Sequence, residues 1–208
     1  MNKNIEKFQQ KGYCVVESAI STELRDFVTQ YALFDEMQRF TPDEAQVVGA
    51  HARYADPAME TMLLHLHKLM EENTGLELDP TYSFYRVYRK GDELTAHTDR
   101  PSCEISCTMC FNYSYDDTQY QWPIFMNGYP ADLKPGDLVI YRGCDLEHWR
   151  EPFAVQEEDA WHVQGFFHYV DKNGPYKDYK YDHRPSLGLL KNQISSEKTT
   201  KKGYITYV

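Results

Sequence analysis

His97, Thr98 and Asp99 set an imidazole and a carboxylate two positions apart, and a second imidazole, His148, follows within Leu146-Glu147-His148-Trp149-Arg150. On extended chain, side chains two apart share a face, so His97 and Asp99 can reach one ion together. With His148 arriving from a distant strand, the donor set becomes two imidazoles and one carboxylate. Such a set leaves one side of an octahedral ion open, which suits non-haem Fe(II) that must take a co-substrate and oxygen at once. Zinc is more often closed by a fourth protein ligand or left with a single water.

The other chemistry-bearing residues carry plainer readings. Cys103, Cys107 and Cys110 have a spacing that holds an iron–sulfur cluster when it sits on a loop. Here the flanking Ile105, Thr108, Met109 and Phe111 read as strand, which puts Cys103 and Cys107 on one face and Cys110 on the other. Buried thiols are the reading taken. Five cysteines, an odd and crowded set, suit a reducing compartment better than a disulfide framework. His65 and His67 point to different sides of a helix and cannot share a metal. His51 carries no further signal, His168 reads as a core residue on an aromatic strand, and His183 as solvated. Arg100, directly after the aspartate, could bind an acidic substrate group or pair with Glu104, and the pairing is the reading taken. Glu157-Glu158-Asp159 reads as a solvated turn.

The elements that must position His97, Asp99 and His148 follow from periodicity. A short helix turns at Gly12 into a strand over Tyr13–Glu17. A helix starts at Ser21 or Thr22, either of which can cap it, with Leu24, Phe27, Val28 and Tyr31 at helical spacing. A third helix covers Pro57 to Asn73, with Met59, Met62, Leu63, Leu66, Leu69 and Met70 along one side and Gly75 as the stop. From residue 81 the period shifts toward two. Strands are predicted over 81–89, 104–113, 120–126, 137–142, 146–151 and 160–170, separated by Gly, Pro, Asp and Asn turns. The layout predicts a mainly β, α+β chain of one domain: helical support over 1–79, a β core over 80–172 and a polar, tyrosine-rich tail over 173–208.

Charge and hydropathy exclude some classes. The 208 residues carry 22 basic and 32 acidic side chains, a net charge of −10, which argues against nucleic acid as a partner. Four lysines against one glutamate make residues 191–208 locally basic, and a solvated tail is the reading taken. No run of apolar residues is long enough to span a membrane, and the first residues lack a secretory core. A cytoplasmic location is the expectation. Oligomeric state is not legible.

Context sharpens the metal reading. The run Tyr88-Arg89-Lys90-Gly91-Asp92-Glu93-Leu94-Thr95-Ala96-His97-Thr98-Asp99, a strand ending Phe111-Asn112-Tyr113, the segment Lys134-Pro135-Gly136-Asp137-Leu138-Val139-Ile140-Tyr141, and then His148 resemble the Fe(II)/2-oxoglutarate-dependent dioxygenases, especially their prolyl 4-hydroxylase-like branch. The likeness covers residues 80–170, and the stretch around Lys11-Gly12-Tyr13 is similar to the start of related hydroxylases. It implies a double-stranded β-helix, or jelly roll, with the metal in its mouth. It also implies that His97, Asp99 and His148 are the iron ligands and that Tyr88 touches 2-oxoglutarate. The implied activity is hydroxylation of a carbon centre in a peptide, amino acid or small metabolite, using O2 and releasing succinate and CO2, with ascorbate as a candidate auxiliary reductant. A non-catalytic, cupin-like metal-binding module on the same framework is the alternative.

One departure stands out. The family places Arg or Lys about ten residues after the distal histidine to pair the far carboxylate of 2-oxoglutarate, yet neither type occurs from Glu151 to Val170. His162 falls in that slot, and Arg150 could supply a forked donor from the His148 strand instead. Tyr82, Phe84 and Tyr85 could line the pocket, although a β core would contain such residues in any case.

Overall fold

A computed structural model describes residues 2–38 and 46–189, and the basic 191–208 segment lies outside the described residues. Helix α1 (Lys3–Lys11) is opened by the Asn2 side chain, which accepts from the Asn4 N–H. It is closed by Gly12 at φ 77°, a left-handed position that glycine adopts without the Cβ penalty of other residues. The chain then enters β1 (Tyr13–Val16). Helix α2 (Thr22–Gln38) starts where its capping pair predicts, with Ser21 Oγ accepting from Leu24 N. Strand β2 (His51–Tyr54) leads into α3 (Pro57–Thr74), which has Asp56 as N-cap, proline in the first turn and Gly75 as its left-handed stop.

The remaining elements are β3 (Leu78–Arg89), β4 (Leu94–His97), β5 (Ile105–Tyr113), β6 (Ile124–Met126), β7 (Tyr129–Ala131), β8 (Leu138–Arg142), β9 (His148–Arg150) and β10 (Trp161–Asp171). They form two antiparallel sheets. The larger has the order β1-β8-β5-β10-β3-β2 and the smaller β4-β9-β6-β7.

Alternation along β5 shows why the layers form. Cys107, Met109 and Phe111 pack outward with Phe8, Val28, Leu63, Leu66 and Met70 of the three helices. Cys110 instead points between the sheets with Ile124, Met126, Val139 and Tyr141. One strand thus feeds two cores, as its period of two requires. Each large side chain buried this way contributes about 1.5–3 kcal/mol of apolar transfer. No described helix is long and apolar enough to cross a membrane.

The structure departs from the sequence reading in three places. Strands β2, β4 and β7 were not foreseen, and the strand expected over 120–126 shrinks to Ile124–Met126. Each unforeseen strand has three or four residues, too few for a period to register. The region after residue 173 is not a loose tail as far as residue 189. Asp182 and Arg184 are buried there, Asp182 accepting from Arg100, Ser102 and Tyr54 and Arg184 pairing with Glu60. Arg100 accordingly pairs with Asp182 and not with Glu104, whose carboxylate accepts from the Asp171 backbone.

Candidate metal centre

His97 closes β4 and His148 opens β9, and the antiparallel register makes them direct cross-strand partners after a bulge that separates them from the Leu94–Arg150 pair. Their rings lie 4.4 Å apart. Each Nδ1 faces a backbone carbonyl two residues back, His97 at 2.7 Å from Thr95 O and His148 at 2.9 Å from Leu146 O. A carbonyl only accepts, so both Nδ1 atoms hold the proton and both Nε2 atoms present a lone pair.

Those lone pairs converge. Each Nε2 lies 3.8 Å from the same oxygen, Asp99 Oδ1. The three ligating atoms fall within 4.8 Å of one another, close enough for a single ion. Burial, and then the neighbouring imidazole, hold His97 below the usual histidine range, and burial does the same to His148. Neutral imidazoles are the form that ligates metal. Burial pushes the Asp99 carboxyl up to about 6 despite the opposing pull of His97 and Ser106. The donor set, its fixed tautomers and its shared focus fit a divalent ion held on one side only.

A glycine that no motif flagged sets the carboxylate. Gly143 accepts from the Asp99 N–H at 2.8 Å through its carbonyl, and donates to Glu104 O at 3.0 Å. A Cβ at Gly143 would collide with the Cys103 carbonyl oxygen and with the Asp99 carboxylate itself. The close approach therefore requires glycine.

His97, Asp99 and His148 open into a cavity of about 300 Å³ whose wall also includes Tyr82, Phe84, Arg86, Arg100, Phe166 and His168. Tyr82 and Phe84 thus line the cavity. Tyr85, one register off, faces the helices and donates to Asp35 at 2.6 Å. His168 is buried as expected, but on the cavity side, with Ser106 Oγ 2.8 Å from its Nδ1. A larger hollow of about 460 Å³, walled by residues such as Tyr113, Trp122, Asp132 and Lys134, contains none of the converging donors.

The three co-substrate candidates lie behind the cavity wall. Tyr88 is fully buried and its Oη accepts from Arg86 Nη1 at 2.6 Å. Arg150 donates to Trp122 O and to Gln164 Oε1 and stacks on the Trp122 ring. His162 has both ring nitrogens engaged, Nδ1 with Tyr115 Oη at 3.1 Å and Nε2 with Gln164 Oε1 at 2.8 Å. Neither Arg150 nor His162 reaches the lining. The cation that does reach it from β3 is Arg86, which the sequence reading passed over. Its signal was available: Arg86 precedes Tyr88 by two and so shares its strand face.

No protein-family model matches the chain, and no curated protein matches it by sequence. Solved structures do match. A Pseudomonas putida prolyl-4-hydroxylase superposes with a TM-score of 0.63 at 16% identity, over 80% of this chain and 97% of that one. The non-haem alpha ketoglutarate dependent epimerase SnoN, from nogalamycin biosynthesis, gives 0.67 at 10% identity over 90% of each chain.

The chain has the fold of the 2-oxoglutarate-dependent oxygenases. That double-stranded β-helix is the jelly roll expected from the sequence. HygX from Streptomyces hygroscopicus, solved with nickel and 2-oxoglutarate bound, shares the oxygenase fold at a TM-score of 0.61 and 9% identity, over 83% of this chain and 88% of that one. The oxygenase fold therefore accommodates prolyl hydroxylation in one neighbour and epimerisation in another.

Proposed function

We propose that this protein is an Fe(II)- and 2-oxoglutarate-dependent oxygenase that hydroxylates a carbon centre of a small molecule or peptide. The observation that carries the reading is the convergence of His97 Nε2, His148 Nε2 and Asp99 Oδ1 at the wall of an open cavity. In this reading those three groups would hold the iron at the wall of the cavity. When bound, iron with 2-oxoglutarate and O2 supplies an oxidant able to attack an unactivated C–H bond, with succinate and CO2 as co-products.

The chain contributes placement. Thr95 and Leu146 carbonyls lock the two imidazoles by their Nδ1 protons, and Gly143 fixes the backbone of Asp99, so the donors are set before any ion arrives. Tyr82, Phe84 and Phe166 form the aromatic part of the cavity wall against which a substrate would be placed. Ascorbate enters only as an auxiliary reductant for assays.

The test is spectroscopic and then chemical. Anaerobic protein with Fe(II) and 2-oxoglutarate is expected to develop a weak visible charge-transfer band that His97→Ala abolishes. Air and a substrate pool should then release succinate. Metal binding with neither band nor succinate would favour the non-catalytic cupin-like module instead.

A further inference from the structure

His97 and His148 meet Asp99 from the smaller sheet, and the larger sheet brings a histidine of its own to the same carboxylate. A carboxylate oxygen of Asp99, Sγ of Cys103 and a ring nitrogen of His168 lie within 4.8 Å of one another, a second trio that has only Asp99 in common with the first. Cys103 ends a 3-10 turn, Pro101–Cys103, in which its N–H donates to Arg100 O at 2.8 Å. That turn returns the thiol to the side of Asp99. His168 stands on β10, in register with Tyr82 of β3 and Ser106 of β5. Cys103 and His168 are only 2% and 5% exposed, and both line the cavity.

Both new donors are braced from behind. Tyr82 Oη lies 3.0 Å from Cys103 Sγ, where its proton can support a thiolate. Ser106 Oγ lies 2.8 Å from His168 Nδ1 and donates to Cys103 O at 2.9 Å, so it ties the imidazole to the turn that carries the thiol. Among the described residues, His168 Nε2 has no hydrogen-bond partner. The ring is therefore not spent within the protein, unlike that of His162, whose two nitrogens are both engaged. Arg100, on the same cavity wall, directs its terminal nitrogens at Asp182, at 2.6 and 3.1 Å, so its charge does not stand unmatched beside the trio. The donor types differ from those of the first trio. A thiolate and a carboxylate together cancel a divalent charge, and sulfur beside imidazole selects softer cations than a set of imidazoles and carboxylate alone.

We infer that Asp99, Cys103 and His168 form a second metal site, one for a thiophilic divalent cation of the Zn(II) and Cd(II) class. The Cys103 proton leaves to solvent as the metal–sulfur bond forms, and no electron moves. Because Asp99 belongs to both trios, an ion in this site draws on the carboxylate that the first site also uses. The inference does not depend on turnover at the first site.

The test titrates the full-length protein with Cd(II), whose bond to a thiolate gives an ultraviolet charge-transfer band that nitrogen and oxygen donors do not give. The other thiols serve as internal controls: Cys14, Cys107 and Cys110 lie in the packed cores, and Cys144 is half-buried. Wild type is expected to develop the band, and Cys103→Ser to lose it. His168→Gln should keep the band but require about 10- to 100-fold more Cd(II) to reach it. His97→Ala, which breaks only the first trio, should leave the band in place, and Cys144→Ser should leave it unchanged. Absence of the band in wild type overturns the site outright. A band that survives in Cys103→Ser and vanishes in Cys144→Ser moves the metal to the wrong thiol and overturns it equally. Loss of the band in His97→Ala would assign the thiol to the first trio and abolish the second. Should Cys103→Ser fail to fold, His168→Gln decides, and an unshifted Cd(II) titration there rejects the inference.

Discussion

His148 and His162 look alike by two coarse measures: both are buried, and both lie among aromatic rings. They differ in what their ring nitrogens face. His162 spends Nδ1 on Tyr115 and Nε2 on Gln164, and its ring stacks on Tyr113 at 5.6 Å. His148 spends Nδ1 on a backbone carbonyl and turns Nε2 toward a carboxylate oxygen that His97 also faces. The first arrangement is complete within the protein. The second is a set of acceptors aimed at one point, the arrangement that a bound cation satisfies. Burial or residue type therefore does not mark the site; the direction of the unspent lone pair does.

Substituting the two histidines should separate these roles by the largest margin. His148→Ala is expected to lose Fe(II) or Ni(II) binding and to lower any succinate release by at least about 1,000-fold, since removing one ligand of three leaves no comparable site. His162→Phe should keep metal affinity within about three-fold while costing roughly 1–3 kcal/mol of stability, because Gln164 and Tyr115 lose a buried partner. Equal metal loss in both variants, read by metal titration beside urea denaturation, would erase the distinction.

Gly143→Ala probes the open centre more gently. The added methyl must displace Asp99 or the Cys103 carbonyl, so metal affinity should fall by about 10- to 100-fold even though every ligand is present. Undiminished affinity would mean that the backbone around Asp99 yields without cost.

Much of this contrast was legible in the sequence, and the illegible part has a physical cause. The helix stops at Gly12 and Gly75, the cap before α2 and the alternation of β5 were readable because local chemistry dictates them. The trio His97, Asp99 and His148 followed from spacing two on extended chain plus the resemblance, although β4 ends at His97 and leaves Asp99 just beyond it. What could not be read is how a sheet shares its interior. That Arg150 and His162 turn to Gln164, and that Arg86 lines the cavity, depends on which strands are neighbours. The Arg100–Asp182 pair joins residues 82 positions apart through a segment with no periodic pattern. Gly143 was invisible for the same reason, since its need for a bare Cα comes from Cys103 and Asp99, both far away in sequence.

Acid response gives the smallest effect, and in it Asp99 differs in sign from the histidines His97, His148 and His162. Burial holds His162 well below its ordinary range, so below about pH 6.5 the unfolded chain takes up a proton there that the folded chain refuses. That contribution to stability is present above pH 6.5 and fades as pH falls. Asp99 runs the other way in the metal-free protein. With its carboxyl pushed up to about 6, the folded chain binds a proton between about pH 4 and 6 that the unfolded chain does not, so this group favours the fold as pH drops through that window. His162→Phe should therefore flatten the loss of stability between pH 6 and 5 by about 1.4 kcal/mol per pH unit, one proton's worth. Asp99→Asn should steepen it. Metal competes with the Asp99 proton, so Ni(II) affinity should rise with pH up to about 6 and level off above, and a profile flat across that range would show that Asp99 takes no part in holding the ion.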